Sequence, residues 1–234
     1  MANLLIDIGN TALKASWADG MTLGKTFRYQ GERMLEFILS LVDKDRPGTI
    51  ILSSVRKFTN DQIARLESAC DRLLIINEGI YDHFSIPSYI TPDRAASIVA
   101  AKYLFQGRQC TIFDFGTMIS IDEIDKDGRY EGGFVSPGCM TRFKSIHRYS
   151  RNLPLIGMPE DADDERLSLS ASISSGVISG IIFEIEGHIC RNPENIVVFT
   201  GGDANYFAKR MKNSIFVVCN LVLLGLALIA DGFE

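Results

Sequence analysis

Leu4-Leu5-Ile6-Asp7-Ile8-Gly9-Asn10-Thr11, near the start of the chain, and Thr111-Ile112-Phe113-Asp114-Phe115-Gly116-Thr117, in its middle, follow one pattern. In each, an apolar run reaches an aspartate, then a glycine and a threonine. A β-branched run ending in such residues predicts a strand entering a tight turn. A returning strand follows each turn, Ala12 to Trp17 in the first case and Met118 to Ile124 in the second. Each returning strand meets an Asp-Gly turn, Asp19-Gly20 or Asp127-Gly128, the dipeptide that hairpins favour. A third strand comes next, Met21 to Tyr29 in one copy and a segment through Phe134-Val135 in the other. The chain therefore reads as two copies of one unit.

The remainder fits that duplication. After the first three strands come a helix-period stretch (Met34, Phe37, Ile38, Leu41), a buried strand at Thr49 to Val55, a helix through Ile63, Leu66 and Cys70, and a short strand at Leu73 to Ile76. Asp93 to Phe105 has helical spacing, with Pro92 where a first turn tolerates proline. The second copy continues with a long helix from Ala171 to Cys190, a strand Ile196 to Phe199, the turn Thr200-Gly201-Gly202-Asp203 and a helix. The apolar run Ile215 to Ala230 is shorter than the roughly 20 residues that cross a bilayer. It reads as a strand, Ile215 to Val218, and a core helix, Leu221 to Ala230. The polar Gln106-Gly107-Arg108-Gln109 places the boundary near residue 108, giving lobes 1–108 and 109–234.

Composition narrows the class. With 234 residues and 46% apolar content the chain can bury a sizeable core. Lys and Arg number 24 against 29 Asp and Glu, and no long basic run occurs, which argues against nucleic acid as a partner. Cys70, Cys110, Cys139, Cys190 and Cys219 lack Cys-x-x-Cys spacing and read as reduced thiols of a cytoplasmic protein rather than zinc ligands. The start has no basic region or apolar stretch of signal-peptide length. His83, His147 and His188 stand apart from one another and read as structural or surface residues. Ser53-Ser54 lacks a nucleophile elbow, and Asp161-Ala162-Asp163-Asp164-Glu165 reads as a solvated acidic loop.

A turn of the form Asp-x-Gly-x-Thr suits phosphate: glycine lets the backbone approach an anion, and the turn and the threonine hydroxyl supply donors. The aspartate would repel that anion unless a cation lay between them. A single such turn is an ordinary hairpin. Two at equivalent places in a duplicated unit resemble the pair of phosphate motifs of the actin-like ATPases and sugar kinases, and Thr200-Gly201-Gly202-Asp203 resembles their adenosine turn. That resemblance implies an α/β, duplicated ribonuclease-H-like fold, with a mixed five-stranded sheet flanked by helices in each lobe.

The ordered set Asp7 to Lys14, Ser53-Ser54-Val55, Asp93-Arg94 opening a helix, Asp114-Phe115-Gly116-Thr117 with Asp122, and Gly132 to Gly138 narrows the match. It resembles the type III pantothenate kinases. The resemblance implies an ATP-dependent kinase of coenzyme A biosynthesis that is dimeric and uses Mg2+ with ATP and a monovalent cation, K+ or NH4+. It implies that Asp7, Ile8, Gly9, Asn10, Thr11, Ala12, Leu13 and Lys14 hold ATP phosphates, with Asp7 near the Mg2+. Gly116, Thr117, Gly201 and Gly202 would also contact ATP, and Asp114 would hold the monovalent cation. Asp93 would be the general base, with Phe84, Thr91, Pro92, Asp93, Arg94 and Leu169 around pantothenate.

The departures gather on the acceptor side. Thr91-Pro92 stands where the family has a glycine, and a residue before proline is pushed toward extended backbone. Phe84 replaces a substrate-contacting tyrosine, and Leu169, between Ser168 and Ser170, stands near a family threonine. Met118 and Ser120 occupy places where Ala and Thr are usual. Two alternatives stay open: a catalytically weak nucleotide-binding homologue, and a same-fold kinase of another small hydroxyl compound. The helix from Ile173 to Ile189 is apolar on more than one face, which requires cover on more than one side, from its own lobe or from a second subunit.

Overall fold

Every residue from Leu4 to Ile8 is buried, as a strand covered on both faces requires. This strand is the centre of the first of two sheets. The structure is a computed structural model that describes residues 2–43, 45–150, 152–159 and 167–232. The acidic segment Asp161 to Glu165 lies outside the described residues.

The first sheet contains β1 (Asn3–Ile8), β2 (Leu13–Asp19), β3 (Thr22–Tyr29), β4 (Thr49–Ser54) and β5 (Arg72–Ile75), in the order β3-β2-β1-β4-β5. β1, β2 and β3 run antiparallel through the two predicted turns, while β4 and β5 add in parallel on the other side of β1. Parallel neighbours need a crossover. The chain provides α1 (Met34–Val42) between β3 and β4, and α2 (Asn60–Ser68) between β4 and β5. The start of α2 is fixed by a capping box: Thr59 Oγ1 accepts the Gln62 N–H, and the Gln62 side chain accepts the Thr59 N–H. α3 (Glu78–His83) and α4 (Pro92–Leu104) follow.

The second sheet contains β6 (Cys110–Phe115), β7 (Met118–Ile124), β8 (Tyr130–Pro137), β9 (Ile196–Gly201) and β10 (Ile215–Val217). Its order, β10-β9-β6-β7-β8, is that of the first sheet with β6 in the place of β1. β6 pairs antiparallel with β7 and parallel with β9, as β1 does with β2 and β4. The duplication expected from the two aspartate turns is thus present strand for strand. α5 (Cys139–Tyr149), α6 (Leu169–Arg191), α7 (Ala204–Ala208) and α8 (Leu221–Gly232) complete the chain.

The first sheet packs Leu4, Ile6, Ile8, Leu13, Ile50 and Leu52 against Met34, Leu35, Ile38 and Leu66 of α1 and α2. In the second, Phe113, Phe115, Phe199 and Phe207 form an aromatic cluster with ring centroids 4.8 to 5.3 Å apart in its closest pairs. Val177, Ile178, Ile181, Ile185 and Ile189 of α6 close over it. By length and composition α6 could also cross a membrane, but this buried stripe makes it the cover of a core.

The chain forms two compact units, and the second is Arg108–Lys126 with Glu131–Cys219. The first takes the chain through Gly107, the turn Asp127–Tyr130 and everything from Asn220 onward. The last helix therefore leaves the 109–234 lobe in which the sequence places it. The reason is its packing: α8 is buried nearly all round, on α4 and on the first sheet. A Cβ at Gly225 would fall 1.8 Å from the carbonyl oxygen of Ala96, so α4 and α8 cross with their backbones in contact.

Candidate active site

The first hairpin is built around a buried carboxylate. Asp7, next to the end of β1, has Lys14 opposite it on β2 and Ser53 beside it on β4. Only 9% of Asp7 is exposed, and the Ser53 hydroxyl donates to its Oδ1 at 3.1 Å. The turn is closed by the Gly9 N–H, which donates to the Ala12 carbonyl at 3.1 Å. Asn10 and Thr11 form the exposed tip.

The second hairpin repeats this. The Gly116 N–H donates to the Met118 carbonyl at 3.0 Å, and Gly116 and Thr117 are exposed. A methyl group at Gly9 would meet only Ala12 O, at 3.6 Å, and one at Gly116 only Met118 O, at 3.5 Å. Both are ordinary contacts, and neither glycine has a positive φ. The fold itself therefore tolerates a side chain at both turns. What glycine adds there is close access to the backbone, the property a phosphate needs.

Two other glycines are required by packing. A Cβ on Gly138 would lie 2.1 Å from Gly116 O, and one on Gly201, where φ is +90°, would lie 2.4 Å from Asp114 Oδ1 and 2.5 Å from Phe115 O. Gly138 also donates its N–H to Thr117 O at 3.0 Å, and the Thr141 hydroxyl donates to the same oxygen at 2.6 Å. α5 thus clamps the second hairpin, while Gly201 lets a backbone turn pass beside Asp114. The Asp114 carboxylate lies against the Gly201 backbone, and a carboxylate is the kind of oxygen ligand that suits a hard cation. The Asp7 carboxylate with the Ser53 hydroxyl is equally suited to Mg2+. Among the described residues no cluster of three metal-ligating side chains exists, so either ion would take its remaining ligands from nucleotide and water.

The acceptor-side residues gather in the α3–α4 segment. Thr91 has φ −65° and ψ 151°, the extended backbone expected before proline, and Pro92 opens α4. Asp93 sits in the first turn, where its Oδ1 accepts the Arg94 N–H at 3.0 Å. The Arg94 guanidinium donates to the Tyr130 hydroxyl at 3.2 Å. Phe84 is half-buried, and its carbonyl accepts from Lys102 Nζ at 2.9 Å. The left-handed residue of this loop is Ser85, at φ 53°. Leu169 belongs to the other unit, 54% exposed at the first turn of α6.

Sequence reasoning missed several neighbours of these residues. Arg56 donates to the Asn10 carbonyl at 3.2 Å and brings a positive charge to the first turn. Tyr130 and Lys102 hold Arg94 and Phe84, and the Tyr81 hydroxyl donates to the Ile90 carbonyl at 2.7 Å. Among the described residues the cysteines are free. Burial raises the thiol of Cys70, carries Cys110 to about 11, and with the charge of Asp203 carries Cys139 to about 12. None of these three is a thiolate near neutrality.

The chain is similar to known proteins. The model of the type III pantothenate kinase family matches residues 3–191. A type III pantothenate kinase of Cytophaga hutchinsonii is 35% identical over 96% of this chain and 96% of its own, and one of Flavobacterium psychrophilum is 31% identical over 94% and 95%. Among solved structures, the activator of the 2-hydroxyisocaproyl-CoA dehydratase from Clostridium difficile, with bound ADPNP, superimposes with a TM-score of 0.59. It covers 98% of this chain and 94% of its own at 14% identity, a likeness of fold alone: the duplicated actin-like architecture. With the family match covering most of its length and identity above 30% along nearly all of it, the chain belongs to the type III pantothenate kinases.

Proposed function

We propose that this kinase transfers the γ-phosphoryl group of ATP to the hydroxyl of pantothenate, the first step of coenzyme A biosynthesis, in the cytoplasm. The observation that carries the reading is the pair of equivalent hairpins. Each has an aspartate next to the last residue of a central strand and offers a glycine that the fold itself does not demand.

The reading assigns the turn from Asp7 to Lys14, with Gly116 and Thr117, to the phosphates, and Gly201-Gly202 to adenosine. Mg2+ beside Asp7 would supply neutralisation of phosphate charge. Phosphoryl transfer asks little covalent chemistry of a protein, so the chain's task is to position the nucleophile and accept its proton. Asp93 Oδ1 holds the Arg94 N–H, and Oδ2 is the atom assigned to the acceptor proton. Arg94, steadied by Tyr130, would bind the pantothenate carboxylate.

Purified protein with ATP, Mg2+ and K+ is expected to release ADP only when pantothenate is added. A catalytically weak homologue would release none. Because Phe84 lacks a hydroxyl and Thr91-Pro92 replaces glycine, release with another small alcohol but not pantothenate would identify a same-fold kinase of that compound. The same assay tests Asp114. A carboxylate beside a triphosphate needs positive charge between them, so replacing K+ by tetramethylammonium is expected to abolish turnover, while NH4+ supports it. Unchanged turnover would remove Asp114 from that role.

The reading includes a homodimer, supported by a second stripe on α6. Leu169, Gly176, Phe183 and Gly187 follow one another at spacings of seven, seven and four, and all four are exposed. Phe183 is 69% exposed, and a methyl group at Gly176 or Gly187 would meet nothing within 4 Å. A two-fold axis beside this stripe would bury it isologously. Sedimentation equilibrium is expected to show a dimer that Phe183→Glu dissociates with loss of turnover. A fully active monomer would refute the homodimer as the working form.

A further inference from the structure

We infer that Tyr81 is a positioning residue for the carboxylate that activates the acceptor, acting through the backbone of the α3–α4 loop rather than by touching substrate. The inference rests on the assignment of Asp93 as the base. Tyr81 lies on α3 and is only 6% exposed. It grips the loop at two points: its carbonyl accepts the Ile86 N–H at 2.9 Å, and its hydroxyl donates to the Ile90 carbonyl at 2.7 Å. Ile90 is 2% exposed, and its own N–H donates to Pro87 O at 3.1 Å, so the stretch from Ile86 to Ile90 is tied down along its length.

Asp93 follows three residues later, and nothing between offers another anchor of this kind. Thr91 is the N-cap of α4, yet its side chain makes no capping bond, and Pro92 has no N–H to give. The body of α4 is held by α8 from Ala96 on, and the Ile90 carbonyl fixes the chain that enters its first turn, where the Asp93 carboxylate stands. That carboxylate is near enough to act on Tyr81: the phenol is pushed up to about 12, mainly by burial and further by the negative charge of Asp93. Tyr81 therefore remains a protonated donor throughout the neutral range. Without the phenolic donor, a buried carbonyl would be left unpaired and the loop would shift to satisfy it. A displacement of about 1 Å at a reacting group can cost on the order of a hundredfold in rate.

The experiment is a double-variant cycle in the ADP-release assay. Tyr81→Phe keeps the ring and removes only the donor. It is expected to lower kcat about 10- to 100-fold, with the KM for ATP within about twofold of wild type. In the Asp93→Asn background, adding Tyr81→Phe is expected to cost nothing further, because a residue that acts through Asp93 has nothing left to position. Placing 4-aminophenylalanine at position 81 restores a donor of similar reach and is expected to restore kcat, which also decides the matter should Tyr81→Phe fail to fold. Wild-type kcat in folded Tyr81→Phe, independent losses that multiply in the double variant, or a folded 4-aminophenylalanine protein with lowered kcat would each overturn the inference. If Asp93→Asn alone keeps its turnover, the base assignment falls and this inference with it, an outcome distinct from multiplying losses on a disabled Asp93→Asn.

Discussion

Asp93→Asn is expected to lower kcat for pantothenate phosphorylation by about 10²–10⁴-fold, the usual contribution of a general base. The substitution is nearly isosteric. Asparagine keeps an acceptor for the Arg94 N–H, the bond that Asp93 Oδ1 makes at 3.0 Å. It removes the capacity to take a proton from the attacking hydroxyl. ATP affinity, measured by titration calorimetry, should stay near wild type, because the hairpins at Asp7 and Gly116 do not include this residue. The melting temperature should change by only a few degrees, since Asp93 is half-buried. A variant that turns over within a few-fold of wild type would take the proton-accepting role away from Asp93.

Gly225→Ala carries the largest expected effect on stability. Alanine is ordinarily the better helix former, by about 1 kcal/mol. Here the added methyl would sit 1.8 Å from Ala96 O and 2.4 Å from Ala96 C, and both are backbone atoms that no rotamer change can move. α4 and α8 would have to separate along a seam where Ala95 to Ala101 and most of Leu221 to Ala230 are buried. Overpacking of a tight core costs about 1–3 kcal/mol, and more where backbone must shift. The loss is therefore expected at or above the top of that range, a large share of the roughly 5–15 kcal/mol that holds a domain together. Urea denaturation reads it directly. A midpoint equal to or above wild type would mean that the helices do not meet at this glycine.

Much of this was visible in the residues. The two aspartate turns, the Asp-Gly turns after them and the later strands predict both sheets, because period, turn chemistry and duplication agree with one another. α3 and α5 escaped. α3 is six residues long, and α5 is a polar helix that buries only Cys139 and Phe143, too few to set up a clear period. Asp7, Asp114 and the hairpin glycines stand out because the same turn occurs twice at equivalent places, whereas one such turn is ordinary. Tyr81, Lys102 and Arg56 were not. They are ordinary polar residues that matter by reaching carbonyls 9, 18 and 46 positions away, a relation set by tertiary packing rather than local pattern. α8 reads as a core helix, but composition cannot say which core; its packing on α4 and the first sheet decides it.

That placement of α8 bears on how the chain is made. A ribosome delivers the first sheet early, yet the element that covers it and seals α4 emerges after the whole second unit. Until then the apolar faces of α4 and β1 lack their cover, a condition that invites aggregation and chaperone capture. The second unit, whose strands and helices run from Arg108 to Cys219 with only a four-residue excursion, has most of its parts before the first can be finished. Loop-closure entropy grows only slowly with length, so the delay falls on the rate of assembly more than on the final stability. A circular permutant that moves residues 220–232 ahead of β1 would give the nascent first unit its missing helix from the outset.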